Sequence, residues 1–221
     1  MALSAPNTLP SIKLPRDLST VSFFSDRSAF RVVERLILPD LLKVLAPKRS
    51  LTVWCVSSSL AQTGLSMAML LDEAFPQTRS WKVQIIETNS SQSSPGQYGR
   101  FVTSHVQSFI PPHYRHNYFV EEGNVLLMKP EILERVEHQA FDLRGSWPYM
   151  AAADLVLMLD GLDGYSPIER MDIASKLPWR LAPHGVLVLP SGEDPPEINE
   201  MFKRSGTTGK HWYRRPAFGT L

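Results

Sequence analysis

One cysteine in 221 residues excludes an intrachain disulfide, and Cys55 lies inside an apolar run rather than in a surface loop. No apolar run approaches the roughly 20 residues needed to span a bilayer, and residues 1–22 lack the apolar core of a secretory signal. These absences place the expected location in the cytosol, with no membrane insertion. Charge of one sign is missing as well. The 23 Lys and Arg against 22 Asp and Glu leave a net charge of +1, which gives no overall reason to expect nucleic acid or an anionic membrane as partner.

Several chemical constellations are started and not completed. His113 and His116 have a spacing that suits two metal ligands, but no cysteine or carboxylate cluster completes a set; a surface loop pair and no metal are expected. GTTGK at residues 206–210 has two residues between its glycines instead of four and precedes a strand instead of following one, which excludes a phosphate loop. Ser57, Ser58 and Ser59 lack the G-x-S-x-G of a nucleophile elbow and read as a helix-entry turn. The basic and aromatic tail KHWYRRP reads as a terminal strand with solvated alternate side chains rather than a single-strand nucleic-acid platform.

What is present is a core-forming composition, 43% hydrophobic, enough for one globular domain. The stretch LTVWCVSSSLAQTGLSMAMLLDEAF organises it. Its apolar run 51–56 stops at small polar residues, and helical spacing then takes over through Leu60, Met67, Leu70, Leu71 and Ala74. Strand, tight turn and helix in that order form the ligand-binding junction of an open α/β sheet, at the carboxyl end of a strand. Upstream, residues 1–17 read as an extended arm and 26–46 as an amphipathic helix bent at Pro39. Downstream, 81–86 reads as a strand, 97–112 as a mostly helical connection, 116–129 as a β-hairpin about EEGN, and 136–143 and 153–159 as core strands. Residues 166–181 form a helix with Ser166 as N-cap, Pro167 at its first position and an irregularity at Pro178. A strand at 185–189, a short helix at 195–204 and a last strand at 210–216 complete the pattern.

The central stretch WCVSSSLAQTGLSMAM resembles, without a gap, the WSAGCSSGEEPYSLAM signature of the CheR-type chemotaxis receptor methyltransferases, matching at Trp54, Ser59, Ser66, Ala68 and Met69. Phe23, Phe24 and Asp26 resemble the "TxFFRD" linker of that family, Gly96 and Tyr98 its "GxY", and residues 213–216 its "YRKP" ending. The resemblance runs from about residue 18 to residue 216. It implies a Rossmann-like class I methyltransferase fold: an α/β, seven-stranded, mostly parallel sheet with helices on both faces, a small inserted β-hairpin, and residues 23–221 as the domain after an arm at 1–22. It also implies S-adenosylmethionine as donor and receptor glutamates as acceptors.

The same alignment places the implied pocket on Ser57, Ser59, Ala61, Gln62, Glu87, Asn89, Asp142 and Asp160, and those residues depart from the family. Ser57 and Ala61 replace two glycines, Gln62 and Thr63 a pair of glutamates, and Asn89 the ribose-binding aspartate; Asp142 stands for an asparagine near the adenine. Leu159 and Asp160 replace an arginine and an asparagine, Gly164 falls on a tyrosine with Tyr165 next to it, and Ser25 and Val21 occupy the linker's arginine and threonine positions. Glu87, two residues before Asn89 and on the same strand face, offers a substitute acceptor. A degenerate pocket that has lost the donor, with function through protein contact in a chemosensory or other signalling assembly and no assigned catalytic residue, is the first reading. An active S-adenosylmethionine-dependent protein methyltransferase using Gln62, Glu87, Asp142 or Asp160 is the second, and a domain binding another small ligand in the same crevice the third.

Overall fold

The apolar run at 51–56 becomes β1 (Ser50–Val56), the middle of a seven-stranded sheet with order β6-β2-β1-β7-β8-β10-β9. This is a computed structural model, and it describes residues 21–56, 62–89, 99–106, 110–147, 150–159, 162, 164–207 and 210–215. β2 (Lys82–Asn89), β6 (Val136–Ala140), β7 (Ala153–Leu157) and β8 (Leu181–Val188) run parallel to β1. β10 (Lys210–Arg214) closes the edge antiparallel to both β8 and β9 (Lys203–Thr207). Strand order reverses between β1 and β7, and the carboxyl ends of strands at such a reversal are where open α/β sheets bind ligands. The fold is the Rossmann-like methyltransferase arrangement that the sequence implies.

Side-chain alternation divides the core. Val53, Cys55, Leu155 and Leu157 pack on one face beneath α1 (Arg27–Val32), α2 (Leu38–Leu45) and α3 (Thr63–Ala74). Trp54, Ile86, Val156 and Leu187 pack on the other, with α7 (Pro167–Lys176) and α8 (Pro196–Met201). Cys55 is fully buried, and burial with the neighbouring Glu87 pushes its thiol well up.

Four expectations are corrected. The bend foreseen at Pro39 is taken one turn earlier, as a π-helical turn (Val33–Ile37) joining α1 to α2. There the Leu38 N–H reaches back to the Val33 carbonyl, so the ladder is already widened when it meets a proline without an N–H. Among its described residues, the connection at 97–112 opens on a strand where helix was expected: it holds β3 (Arg100–Val102) before a turn of helix, α4 (Thr103–Val106). Phe101 decides this, because in an extended backbone it reaches Phe23 and Phe119 edge-on, with ring centroids 5.1 and 6.2 Å away. The hairpin begins later than residue 116, since His113 and His116 lie on α5 (Pro112–Tyr118) instead of in a loop. It comprises β4 (Phe119–Glu122) and β5 (Val125–Met128), turning at Gly123 with φ +60° and followed by the single helical turn α6 (Pro130–Leu133), and β3 pairs with β5 to make a three-stranded sheet. Finally, the helix expected over 195–204 stops at Met201, because KRSGT gains its ladder of backbone bonds from β10 as β9.

Candidate functional site

The residues that carry the family resemblance are tied to one another. Ser66 Oγ on α3 accepts the Phe24 N–H at 3.0 Å and donates to the Gln62 carbonyl at 2.6 Å, while the Gln62 N–H reaches the Ser22 carbonyl at 2.9 Å. This lattice holds Phe24 at φ +49°, a left-handed conformation a bulky residue rarely adopts, and buries its ring against Phe30 and Tyr114. Phe23 and Phe24 thus anchor the linker to the core. Asp26 caps α1 through the N–H groups of Ser28 and Ala29 and also accepts the Ser191 N–H and hydroxyl from the turn after β8. Trp54 donates its indole N–H to Thr88 Oγ1 at 2.9 Å and packs against Phe141 and Trp147. The matched serine, phenylalanines, aspartate and tryptophan all bind the fold together.

At the carboxyl end of β2, Glu87 is fully buried. Its Oε1 accepts the Gly64 N–H at 3.0 Å in the first turn of α3, and its Oε2 lies 3.4 Å from His138 Nδ1 on β6. Register explains the row: Cys55, Glu87 and His138 are direct neighbours across β1, β2 and β6. Gly64 fits because a Cβ there would stand 2.9 Å from Val136 Cγ1 and 3.2 Å from Glu87 Oε2. Neither His138 nitrogen has a hydrogen-bond partner among the described residues, and burial holds the imidazole below its usual pKa despite the nearby carboxylate. His138 and Gly64 were not among the candidates; the only sequence sign of them is a glutamate in a strand due to be buried on both faces, which demands a donor somewhere.

The remaining candidates fall as follows. Gln62 and Asn89 are buried, and the Asn89 carbonyl accepts the Phe141 N–H. Asp142 is exposed and folded onto Arg144, which donates through Nε and a terminal nitrogen; these bonds hold its carboxyl below the usual range. Tyr165 is half-buried, its hydroxyl pushed up by burial and by Asp142, and Leu159 is buried at the end of β7. Ser57, Ser59, Ala61 and Asp160 lie outside the described residues. A donor with a ribose diol and an amino-acid moiety requires acceptors aimed into the crevice. Here Gln62 and Asn89 are uncharged, and the two described carboxylates, Glu87 and Asp142, are engaged by Gly64 and Arg144. Among the described residues, no group of three His, Cys, Asp or Glu is placed to hold a metal ion, and no helix is long and apolar enough to cross a membrane.

A family model described as "CheR methyltransferase, SAM binding domain" matches residues 19–211. Chemotaxis protein methyltransferase 1 of Pseudomonas aeruginosa is 29% identical over 178 residues, which cover 77% of this chain and 64% of the relative. The chemotaxis protein methyltransferase of Listeria monocytogenes is 22% identical over 176 residues, 80% of this chain and 65% of that protein. The chain therefore spans less than two thirds of the length of either relative. N-methyltransferase NodS from Bradyrhizobium japonicum, in complex with S-adenosyl-L-homocysteine, superposes with a TM-score of 0.42 at 11% identity, over 87% of this chain and 94% of that one. With its anchoring residues in place and the family model extending over most of its length, the chain belongs to the CheR methyltransferase SAM-binding-domain family.

Proposed function

We propose that this member of the family has lost S-adenosylmethionine binding and works by contact with protein partners in a chemosensory or other signalling assembly. The observation that carries the reading is Glu87. It is the acidic residue nearest the ribose-binding position of β2, and its carboxylate is fully buried and accepts the Gly64 N–H beside His138. Support comes from Gln62 and Asn89, neutral and buried where the family has acids. A hydrogen bond to a charged group contributes about 1.5–3 kcal/mol. Two such bonds missing from the donor lower its affinity by roughly two to four orders of magnitude.

The matched relatives are named chemotaxis methyltransferases, which favours receptor-like proteins as the partners. Active methyl transfer with a divergent pocket is the competing reading, supported by the family's description as a SAM-binding domain. Calorimetric titration of the purified chain with S-adenosylmethionine and S-adenosylhomocysteine, with thermal melting alongside, separates the two. A ligand at about a hundred times its Kd adds roughly 2.7 kcal/mol of stability, several degrees in melting temperature. No heat and no shift at millimolar ligand is the expected result. Micromolar binding, or methyl transfer from labelled donor to a chemoreceptor, overturns it.

A further inference from the structure

The basic end of the chain is sorted by its strands. Residues 201–221 hold five of the 23 Lys and Arg and none of the 22 Asp and Glu. β9 and β10 pair Lys203 with Arg214, Arg204 with Tyr213 and Ser205 with Trp212, and alternation sends successive pairs to opposite faces of the sheet. On the face of α7 and α8, Tyr213 is buried and Arg204 bonds to Asp194. Arg215, just past the strand, donates to the Leu181 carbonyl and stands 6.0 Å from the Trp179 ring. On the other face half-buried Trp212 packs against the core that α1, α2 and α3 cover, while Lys203 and Arg214 are exposed.

Lys203 and Arg214 are direct neighbours across the ladder and carry the same charge, a pairing that weakens a sheet and that a carboxylate beside the two relieves. Neither has an ion-pair or hydrogen-bond partner among the described residues. Asp40 lines a small cleft with Arg214, but its carboxylate lies 3.5 Å from Lys43 and makes no ion pair with the arginine. β9 is the last strand of the sheet and pairs with β10 only. The N–H and C=O groups of alternate residues along its outer side therefore meet no strand among the described residues. Lysine on such an edge repels a like edge, which disfavours a second copy of this chain pairing β9 to β9, and the same charge favours a strand that brings carboxylates.

We propose that the outer edge of β9 is a docking site for an extended acidic segment of a partner protein, added as a strand whose backbone bonds to residues 203–207 and whose carboxylates meet Lys203 and Arg214. Single-stranded nucleic acid, which Trp212 among cations also suits, lacks the backbone donors and acceptors that extend a sheet. The edge lies four strands from β1 and does not depend on loss of the donor. A positive donor titration therefore leaves it standing, and its own failure leaves that titration unaffected.

The probe is a synthetic alternating Glu/Thr peptide of strand length, titrated into the full chain while backbone amides are followed by NMR. Its Lys/Thr counterpart and a backbone N-methylated Glu/Thr peptide, which cannot complete a ladder, are the controls. The expected result is saturable shifts and slowed amide exchange confined to β9 and β10 with Glu/Thr, weakening as salt rises, and none with either control. Lys203→Glu combined with Arg214→Glu, both at exposed positions, weakens the acidic peptide by about tenfold or more and lets the Lys/Thr peptide bind in its place. Thermal melting confirms that the variant is folded. No binding at millimolar peptide, shifts elsewhere on the surface, binding insensitive to the charge reversal, or equal binding of the N-methylated peptide overturns the proposal. So does oligothymidylate that binds at Lys203, Trp212 and Arg214 more tightly than the peptide, which assigns the face to single-stranded nucleic acid.

Discussion

His138 is a residue whose environment changes how the molecule responds to pH below neutrality. Its ring stands beside Glu87 yet burial dominates, so its pKa in the folded state lies below the ordinary value of 6.5. In the unfolded chain the imidazole takes up its proton first as pH falls, so the unfolded state binds more protons over that window and stability rises with pH. The contribution is therefore complete above about pH 6.5 and is lost as pH drops toward the folded value. His138→Gln is expected to flatten this limb: between about pH 7 and 5 the parent loses more stability than the variant, read as urea midpoints across the range. The sequence could not announce this. Glu87 was legible as an acceptor on the right strand face, but its direction is fixed by Gly64 and His138, which lie 23 residues before it and on the next strand of the sheet.

Among the elements, α7 shows a cap that local sequence suffices to predict. Ser166 and Glu169 form a complete capping box ahead of α7, with Pro167 at the first position. Asp26 does more than cap. Besides the two N–H groups of α1 it holds Ser191, so one carboxylate fastens the first helix to the turn that follows β8. Asp26→Ala is expected to cost about 2 kcal/mol, at the upper end for an N-cap, whereas Asp26→Asn retains part of it; chemical denaturation of the two variants measures the difference. Elements built from long-range pairing escaped the same reading. β3 and β9 are short and lack clean alternation, and they extend only because β5 and β10 supply partners for their backbone groups. The π-helical turn likewise reflects where the helix must bend to keep Phe30, Val33 and Ile37 on the sheet, not the position of Pro39 alone.

For the whole molecule, the inserted layer of β3, β4, β5 and α5 is joined to the main sheet through Asp72 at the end of α3. Its carboxylate accepts Arg79 through two nitrogens, Arg135 Nη2 at 2.9 Å and the Tyr118 hydroxyl at 3.2 Å, and these partners, Arg79 first, hold its pKa low. Arg79 is more than half exposed, so solvent screens part of that attraction. Asp72→Ala is expected to raise amide exchange in β3–β5 and α5 while β1, β2 and β7 stay protected, the signature of a sub-global opening; equal loss of protection in the central strands would show that the insert has no stability of its own to lose. By itself the sequence determined the parallel core, the strand–turn–helix junction, the Ser166 cap and the family, because periodicity, capping and unbroken apolar runs are local properties. Tertiary structure alone decided the third strand of the insert and the burial of Glu87 between Gly64 and His138. Each depends on which side chains are brought together across the sheet or between helices, and proximity of that kind is set by packing rather than by spacing along the chain.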